Sequence, residues 1–263
     1  MTTSVDVMAF GAHPDDIELS CGGTLIKLVD QGYSVALVDM VRGEMGTRGT
    51  VETRRAEAEK AAEIIGVVAR ENLELEDGNI HTNKETKHRV VEVVRKYRPR
   101  LVFLPYYDDR HPDHYHASEL AYEGIFLAGL TRYESDRDSF RPCKVMYYMA
   151  WYEFDPTFIV DISEQFDRKM EAIYAYESQF KPDDNYYKQT RLTSREYNWT
   201  LTHRMGYYGS LIGKKYGEGF LIRGKMQVDD PLKVKFSTFE ISIHRSGQCE
   251  LGLRVTPLTA AAV

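Results

Sequence analysis

A histidine and two carboxylates lie close together at the end of an apolar run near the start of the chain, in the segment Ala12–Asp16. A second cluster, Arg110–His114, follows roughly a hundred residues later and also ends an apolar run. Imidazole and carboxylate form a donor set suited to zinc or a similar divalent ion. Spare carboxylates and a spare imidazole beside such an ion are what metal-assisted hydrolysis needs. The two clusters therefore predict a hydrolase.

The first cluster divides into two candidate ligands and a candidate base. His13 and Asp16 can face one point if the chain turns between them, and Pro14 favours such a turn. Asp15 lies between them, where its short side chain can take a proton from water without binding the ion tightly. The structural alternative is an Asp-rich turn that caps the following helix. For this segment taken alone, the two interpretations have about equal weight.

The second cluster favours the functional interpretation. His114 can supply a third ligand, leaving an open position for water and substrate. Asp113 can then orient the imidazole of His111 and favour its charged form. A cationic His111 facing the site would stabilise an oxyanion or protonate a leaving amine. His116 is a weaker candidate, and the remaining histidines are interpreted as structural.

Strands and helices alternate through the first half of the chain. Strands are predicted at residues 5–10, 34–41, 72–75 and 101–104, and helices from Gly22-Gly23 to Gly32 and at 52–65 and 84–97. This alternation predicts an α/β fold with a mostly parallel sheet covered by helices on both faces. Functional residues of such sheets gather beyond the carboxyl ends of the strands, where both clusters lie.

The second half of the chain is less regular. Helices are predicted at 115–130, from an N-cap at Ser163 to Phe180, and at 194–216, the last one ended by Gly217–Gly219. Strands are predicted at 144–151 and 158–162. We expect one domain over residues 1–235 and a C-terminal extension of unclear role over residues 236–263.

Composition excludes several classes of function. The chain has 263 residues and a net charge of −6 without a long Lys/Arg block, so we expect no nucleic-acid partner. No apolar stretch has the length of a membrane span and no signal peptide is visible, so we expect no membrane association. Its three widely spaced cysteines fit a reducing cytosol, which predicts a cytoplasmic protein.

The two clusters resemble the paired motifs of the PIG-L/LmbE-like zinc deacetylases, which remove acetyl groups from N-acetylglucosaminyl conjugates. Further segments are similar to the branch of this family that acts in bacillithiol biosynthesis, and the resemblance covers about residues 5–235. These segments are Gly43–Thr50 with Glu52 and Arg54, Glu76–Asn79, Tyr147–Met149, Ser178–Phe180 and Tyr216–Phe220.

The resemblance implies a Rossmann-like fold and a role for each cluster residue. It implies metal ligation by His13, Asp16 and His114, with Zn²⁺ or another divalent metal such as Fe²⁺ as cofactor. It gives the base role to Asp15 and a supporting role to the pair His111 and Asp113. The implied reaction is deacetylation of a small N-acetylglucosaminyl substrate, N-acetylglucosaminyl malate in the bacillithiol branch. Relatives also imply a homo-oligomer, such as a hexamer.

A malate aglycone would require local positive charge on an acidic chain. Arg54, Arg48 and Arg110 are the candidates, because all three are predicted on or beside loops at the sheet edge that carries the clusters. Arginine pairs bidentately with a carboxylate, and the resemblance places Arg54 first. The structural alternative is that these arginines pair with Glu44 or Asp109 and hold a loop.

Three other functions remain open from the residues. One is a deacetylase of a different N-acetylglucosaminide. Another is a nucleotide-dependent α/β enzyme, which the absence of a GxGxxG motif after the first strand disfavours. A third is a non-catalytic sugar-binding module with a retained metal site, which would not need Asp15, His111 and Asp113.

Overall fold

The computed structural model describes residues 4–182, 189–234 and 236. Within these ranges the chain forms seven β-strands: β1 Val7–Gly11, β2 Val35–Val41, β3 Ala69–Leu75, β4 Leu101–Pro105, β5 Lys144–Tyr148, β6 Phe158–Asp161 and β7 Gly217–Leu221. The same ranges contain seven α-helices: α1 Asp16–Asp30, α2 Val51–Ile65, α3 Lys84–Tyr97, α4 Pro112–Ala128, α5 Phe166–Tyr174, α6 Glu177–Phe180 and α7 Arg195–Leu211.

The strands form a single sheet in the order β3-β2-β1-β4-β5-β7-β6. The five strands from β3 to β5 are parallel, and β7 runs antiparallel to both of its neighbours. The strand order reverses direction between β1 and β4, and ligands of open α/β sheets bind outside the carboxyl ends of the strands at such a switch point. The first cluster follows β1 directly, and the second follows β4 after a short loop.

The sheet is buried on both faces. On β1, the alternate residues Met8 and Phe10 pack with α3 and α4, while Val7 and Ala9 pack with α1 on the other face. The predicted α/β fold, with helices on both faces of a mostly parallel sheet, is confirmed. Burial on both faces explains why these strands read as continuous apolar runs rather than as alternating patterns.

Helix ends in the first half follow the local sequence. The Asn83 side chain accepts hydrogen bonds from the Glu85 and Thr86 backbones in a capping box, so α3 begins where it was predicted. The Thr50 hydroxyl accepts from the Thr53 backbone at the start of α2, and Gly66 ends that helix with a φ of 86°. The ends of these two helices are thus set by capping residues that can be recognised in the sequence.

Two predictions based on glycines are wrong. The first helix begins at Asp16 rather than at Gly22-Gly23, and Gly217 opens β7 rather than ending a helix. In both places a side chain on the glycine would collide with a neighbouring element. A Cβ on Gly23 would lie 2.9 Å from Glu218 Oε1, and one on Gly217 would lie 2.7 Å from the Ile159 side chain. These glycines therefore mark tight packing between elements rather than turns.

Three boundaries in the second half also differ from the prediction. The helix predicted from Ser163 to Phe180 is split into α5 and α6, and Ser163 donates to the Asp161 carboxylate instead of capping α5. Strand β5 ends at Tyr148, three residues before the predicted end at 151. Helix α7 ends at Leu211, before the predicted end at 216. Sequence periodicity does not resolve boundaries that tertiary contacts decide.

The chain groups into two units, of which the first ends at Gly224 and the second begins at Lys225. In the second unit, the structure describes residues 225–234 and 236, with one short 3-10 helix at Pro231–Lys233. The predicted extension over residues 236–263 lies outside the described residues apart from Phe236. In the described part of the chain, no helix is both long and apolar enough to span a bilayer.

The close packing of α3 on α4 depends on Gly124. A Cβ at this position would lie 2.5 Å from Val90 Cβ, so we expect Gly124→Ala to destabilise the protein by about 1–3 kcal/mol, the usual cost of overpacking. Gly206 in α7 is the control, since a Cβ there meets nothing within 4 Å and alanine should stabilise that helix by about 0.5–1 kcal/mol. Urea unfolding measures both changes. Equal stability of Gly124→Ala and the parent would contradict this account of the contact.

Candidate metal centre

The first cluster forms a strained turn between β1 and α1. Asp15 immediately precedes α1 and adopts a φ of 121°, which is unfavourable for a residue other than glycine. Its side chain makes no capping hydrogen bond to the helix in the described structure, so the capping alternative does not explain it. Asp16 instead closes the turn, since its Oδ2 accepts a 2.8 Å hydrogen bond from the His13 backbone. The turn thereby leaves the Asp15 carboxylate available at the site.

Three side chains at the carboxyl ends of β1 and β4 form a candidate metal-binding set. His13, Asp16 and His114 each offer one donor atom, and these atoms lie within 4.8 Å of one another. Asp16 is central, with Oδ2 3.2 Å from His13 Nδ1 and Oδ1 3.2 Å from His114 Nε2. Two imidazoles and one carboxylate match the donor set of a catalytic zinc site, which keeps a further position open. The set therefore fits a divalent ion.

Two further aspartates lie beside these histidines. Asp109 Oδ1 lies 3.2 Å from His114 Nδ1, and Asp77 Oδ1 lies 3.3 Å from His13 Nε2. Backbone N–H groups hold both carboxylates in place, from Trp151 to Asp109 and from Met45 to Asp77. Carboxylates behind ligand histidines fix the ring orientation and increase its basicity. Burial disfavours the charged form of His114, but the carboxylates of Asp16 and Asp109 outweigh this and raise its pKa to about 9.

Asp15 is buried beside this set, and one arginine holds it there. Burial raises the pKa of the Asp15 carboxyl to about 7, against the lowering effect of the Arg54 charge. Arg54 Nη2 lies 3.2 Å from Asp15 Oδ2 and donates a hydrogen bond to the Pro14 carbonyl. The guanidinium fits closely against Gly43, where a Cβ would lie 3.2 Å from it. Arg54 was predicted to contact substrate, and the structure places its guanidinium on the candidate base.

The predicted pairing of Asp113 with the His111 imidazole is not what the structure shows. Asp113 Oδ2 lies 3.2 Å from His13 Nε2 and accepts a 2.9 Å hydrogen bond from the Gly78 backbone. His111 caps α4 with Nδ1, which accepts from the Asp113 backbone N–H at 3.2 Å. Burial, followed by the charges of His13 and His114, lowers the pKa of His111. The lowered pKa favours a neutral ring over the predicted cation, and since Nδ1 accepts a hydrogen bond, a neutral ring carries its proton on Nε2.

The other two predicted arginines take different positions. Arg48 is buried and donates to the carbonyls of Ser178 and Lys181, each at 2.6 Å, so it ties the loop after β2 to the segment around α6. Arg110 is exposed, and its guanidinium lies 4.0 Å from the centre of the Trp151 ring. Arg48 therefore holds a loop, as in the structural alternative, although its partners are backbone carbonyls rather than Glu44 or Asp109. Arg110 remains accessible.

A buried network of charged side chains stabilises the turn between β1 and α1. Arg70 on β3 makes two hydrogen bonds to Asp39 on β2, at 2.7 and 2.9 Å, and a 2.5 Å ion pair with Glu18 in the first turn of α1. The Tyr176 hydroxyl also donates to Glu18. Removing one partner of a buried ion pair costs about 3–5 kcal/mol, because the other charge is left uncompensated. This network fixes the start of α1, which carries Asp16, against β2 and β3.

The centre opens into a cavity of about 360 Å³, within the usual size range of small-molecule sites. Its floor carries the histidines and aspartates described above together with Arg54. Its walls are largely apolar and are formed by Met45, Trp151, Leu192, Tyr197 and Leu201. Burial raises the pKa of the Tyr197 phenol, so this hydroxyl stays protonated and can donate a hydrogen bond.

Asp77 and Asp109 lie outside the two sequence clusters, and the only role predicted for Asp109 is that of a partner for an arginine. Both residues follow the carboxyl ends of strands, Asp77 after β3 and Asp109 after β4. The same strand-end rule that found the two clusters could have found them. Arg70 carried no such signal, because it lies within β3 at a position that was not predicted as strand.

Comparison with known proteins gives a consistent result. Residues 8–125 match the family model PIG-L, described as GlcNAc-PI de-N-acetylase. The chain is 34% identical over 232 residues to the diacetylchitobiose deacetylase of Thermococcus kodakarensis, and the match covers 81% of each protein. Residues 8–125 contain both clusters.

Solved structures show the same fold. A conserved protein of Thermus thermophilus, TT1542, superposes with a TM-score of 0.76 at 34% identity, covering 90% of this chain and all of that one. The N,N'-diacetylchitobiose deacetylase of Pyrococcus horikoshii, solved with its inhibitor MPG, superposes with a TM-score of 0.73 at 30% identity. That match covers 83% of this chain and 84% of the other.

The donor set predicts which histidine a metal ion needs. We expect His114→Ala to lose tight Zn²⁺ binding, because only two of the three donors remain. His116→Ala is the matched control, since it changes a histidine of the same helix outside the donor set. Calorimetric titration of each metal-free protein with Zn²⁺ measures the effect. Parent-like affinity in His114→Ala would remove His114 from the donor set.

Proposed function

The chain belongs to the PIG-L family, and from this membership we propose that it is a metal-dependent hydrolase that removes the acetyl group from an N-acetylglucosaminide. Two similar proteins, from Thermococcus kodakarensis and Pyrococcus horikoshii, are diacetylchitobiose deacetylases. The position of Asp15 supports the proposal most directly. It is a buried carboxyl with a pKa near neutrality beside a three-residue metal-binding set.

The donor set fits zinc, which we propose as the cofactor. A divalent ion bound by His13, Asp16 and His114 would supply a Lewis acid for the amide carbonyl and acidify water. The chain's own residues perform the proton transfers. Asp15 accepts a proton from the water that attacks the acetyl carbonyl carbon. Arg54 keeps the Asp15 carboxylate oriented and favours its ionised form.

Loss of the amine requires a proton on its nitrogen. We assign that donation to Asp15, which is the proton's acceptor in the preceding step and becomes a carboxylic acid there. The C–N bond then breaks and yields acetate and the free amino sugar. His111 was predicted as a cation that would stabilise an oxyanion or protonate the amine, and its lowered pKa favours a neutral ring, which is suited to the first of these roles. In this proposal the His111 Nε2–H instead donates a hydrogen bond to the oxygen that becomes negative.

The cavity walls support a sugar substrate of modest size. The Trp151 and Tyr197 side chains offer apolar faces against which a pyranose ring can pack, and the Tyr197 hydroxyl and Gln179 amide offer polar contacts. Arg54 contacts Asp15 through Nη2, so the proposal does not use it to bind an aglycone carboxylate. Arg110 is exposed beside Trp151 and takes that place in the proposal.

Two substrates follow from this arrangement. N-acetylglucosaminyl malate requires a cationic group near the cavity, which Arg110 supplies. N,N'-diacetylchitobiose is the alternative, since it is named for two of the similar proteins. Participation in bacillithiol biosynthesis, cytoplasmic location and homo-oligomer formation stay predictions.

The assigned base predicts a sharp loss of activity. Asp15→Asn keeps the size of the side chain but cannot take a proton, so we expect retained metal and a turnover reduced roughly 10²–10⁴-fold. Metal content and the rate of acetate release from the same preparation measure the two properties. Near-parent turnover of metal-loaded Asp15→Asn would assign the base elsewhere.

The pH profile gives this variant an internal control. Since Asp15 must be ionised to accept a proton, parent turnover should fall as the pH decreases through the pKa of this carboxyl. That pKa is about 7 without a metal ion, and a bound divalent ion would lower it somewhat. The residual activity of Asp15→Asn should lack this acidic limb. Persistence of the limb in the variant would show that another group titrates there.

Aglycone preference is tested with Arg110→Gln. If Arg110 binds a malate carboxylate, the variant should raise KM for N-acetylglucosaminyl malate roughly tenfold, because about one charged hydrogen bond is lost. The KM for N,N'-diacetylchitobiose should not change. Arg100→Gln is the matched control, because this exposed arginine precedes β4 at the opposite edge of the sheet. Mass-spectrometric detection of acetyl loss measures both substrates. Equal effects on both would give Arg110 a structural role, and no turnover of the malate conjugate by the parent would exclude that branch.

A further inference from the structure

Two arginines contact the same tryptophan at the wall of the cavity. The Arg110 guanidinium carbon lies 4.0 Å from the centre of the Trp151 ring, and that of Arg191 lies 5.2 Å from the same centre. Arg110 follows β4, whereas Arg191 opens a short 3-10 helix, Arg191–Thr193, just before α7. Two segments that are far apart in sequence thus bring their guanidinium groups to one ring.

The segment that carries Arg191 has a defined position beside the cavity. The Thr193 side chain is buried, and its hydroxyl accepts a 3.2 Å hydrogen bond from the Thr190 backbone N–H. Leu192, the next residue after Arg191, lines the cavity. Burial raises the pKa of the Tyr197 phenol in the cavity wall, and the charge of Arg191 acts on that phenol in the opposite direction. Arg191 therefore lies close enough to the cavity to act on its contents.

Neither guanidinium has an oxygen partner. In the part of the chain that the structure describes, the side chains of Arg110 and Arg191 form no ion pair and no hydrogen bond. The two arginines that line the cavity differ in this respect. Arg54 contacts a carboxylate, and Arg204 donates to a backbone carbonyl. The donor groups of Arg110 and Arg191 are thus available to a ligand.

The convergence of these two charges favours an anion. An aromatic face attracts a cation but does not neutralise it, and two like charges beside one ring repel each other. The chain contains 40 acidic and 34 basic side chains, so carboxylates are not scarce. Even so, the two guanidiniums meet at Trp151 without one. An anionic ligand that contacts both would remove the repulsion and use their N–H donors.

We propose that Arg191 determines substrate specificity, by binding one of two carboxylates of a dicarboxylate aglycone while Arg110 binds the other. This role rests on the proposed deacetylase function, since the aglycone is then the part of the substrate that reaches Trp151. A planar guanidinium pairs with one carboxylate through two parallel hydrogen bonds, so two separate guanidiniums suit two carboxylates. Arg110 alone would accept a monocarboxylate equally well. Arg191 is therefore the residue that distinguishes the two kinds of aglycone.

Calorimetric titration of the zinc-loaded full chain with L-malate tests the binding step. Lactate is the matched probe, because it lacks one of the two carboxylates of malate. We expect the parent to bind malate roughly tenfold more tightly than lactate, since one further charged hydrogen bond is made. Arg191→Gln should weaken malate binding by about the same factor and have little effect on lactate. Arg191→Lys, which keeps the charge but not the planar fork, should restore part of the malate affinity.

Arg195→Gln is the matched control variant. Arg195 is an exposed arginine in the first turn of α7, and in the described structure it has no contact with Trp151. This variant should bind malate as the parent does. Equal affinities for malate and lactate in the parent, or parent-like malate affinity in Arg191→Gln, would overturn the proposal. Inorganic phosphate is titrated as a second anion, and tighter binding of phosphate than of malate would overturn the assignment to a dicarboxylate.

Kinetics separate the role of Arg191 from the proposed function. Arg191→Gln should raise KM for N-acetylglucosaminyl malate with kcat unchanged, and both constants for N,N'-diacetylchitobiose should stay at the parent values. A higher KM for both substrates would show that Arg191 only supports the cavity wall. Deacetylation of N,N'-diacetylchitobiose by a parent that does not distinguish malate from lactate would overturn the role of Arg191 and leave the proposed function intact. The reverse result, in which malate is preferred but neither substrate releases acetate, would overturn the proposed function and leave dicarboxylate binding by the two arginines intact.

Discussion

Neutralisation of buried negative charge is the constraint on which the site depends. Five aspartates lie buried at the carboxyl edge of the sheet, around the junction of β1 and β4. Burying an ionised carboxylate without a partner costs several kcal/mol, so each needs a positive or hydrogen-bonding neighbour. Imidazoles, backbone N–H groups and Arg54 supply part of this compensation. A divalent ion among the donors would supply the largest remaining part.

The same constraint separates the roles of two neighbouring aspartates. Burial favours the neutral form of Asp16, but His114 and His13 lower its pKa well below the usual range. Asp15 contacts the guanidinium of Arg54, but burial has the larger effect and raises the pKa of Asp15 to about 7. Asp16, the proposed ligand, therefore stays ionised, while Asp15, the proposed base, can exchange a proton near neutral pH. This difference in environment, not in residue type, distinguishes the two proposed roles.

Much of the fold and the location of the site could be predicted from the sequence. Apolar runs identified the central strands, and the clusters after β1 and β4 meet because parallel strands end at one edge. Side-chain partners could not be predicted in the same way. Asp113 faces His13 across a hundred residues of chain rather than its neighbour His111, because the direction of each side chain depends on how α4 packs. Arg48 looks like an anion-binding residue in sequence, yet its guanidinium holds carbonyls of a distant segment.

The most direct measurement of the central claim is the thermal stability of the purified chain as a function of zinc concentration. If the buried carboxylates and histidines form a metal centre, the ion binds the native state and not the unfolded chain. Stability should then rise by about 2.7 kcal/mol at a free concentration one hundred times the Kd, with a midpoint several degrees higher. Chelation should reverse the change, and His114→Ala should abolish it. An unfolding midpoint that is independent of zinc and of chelator would contradict the account.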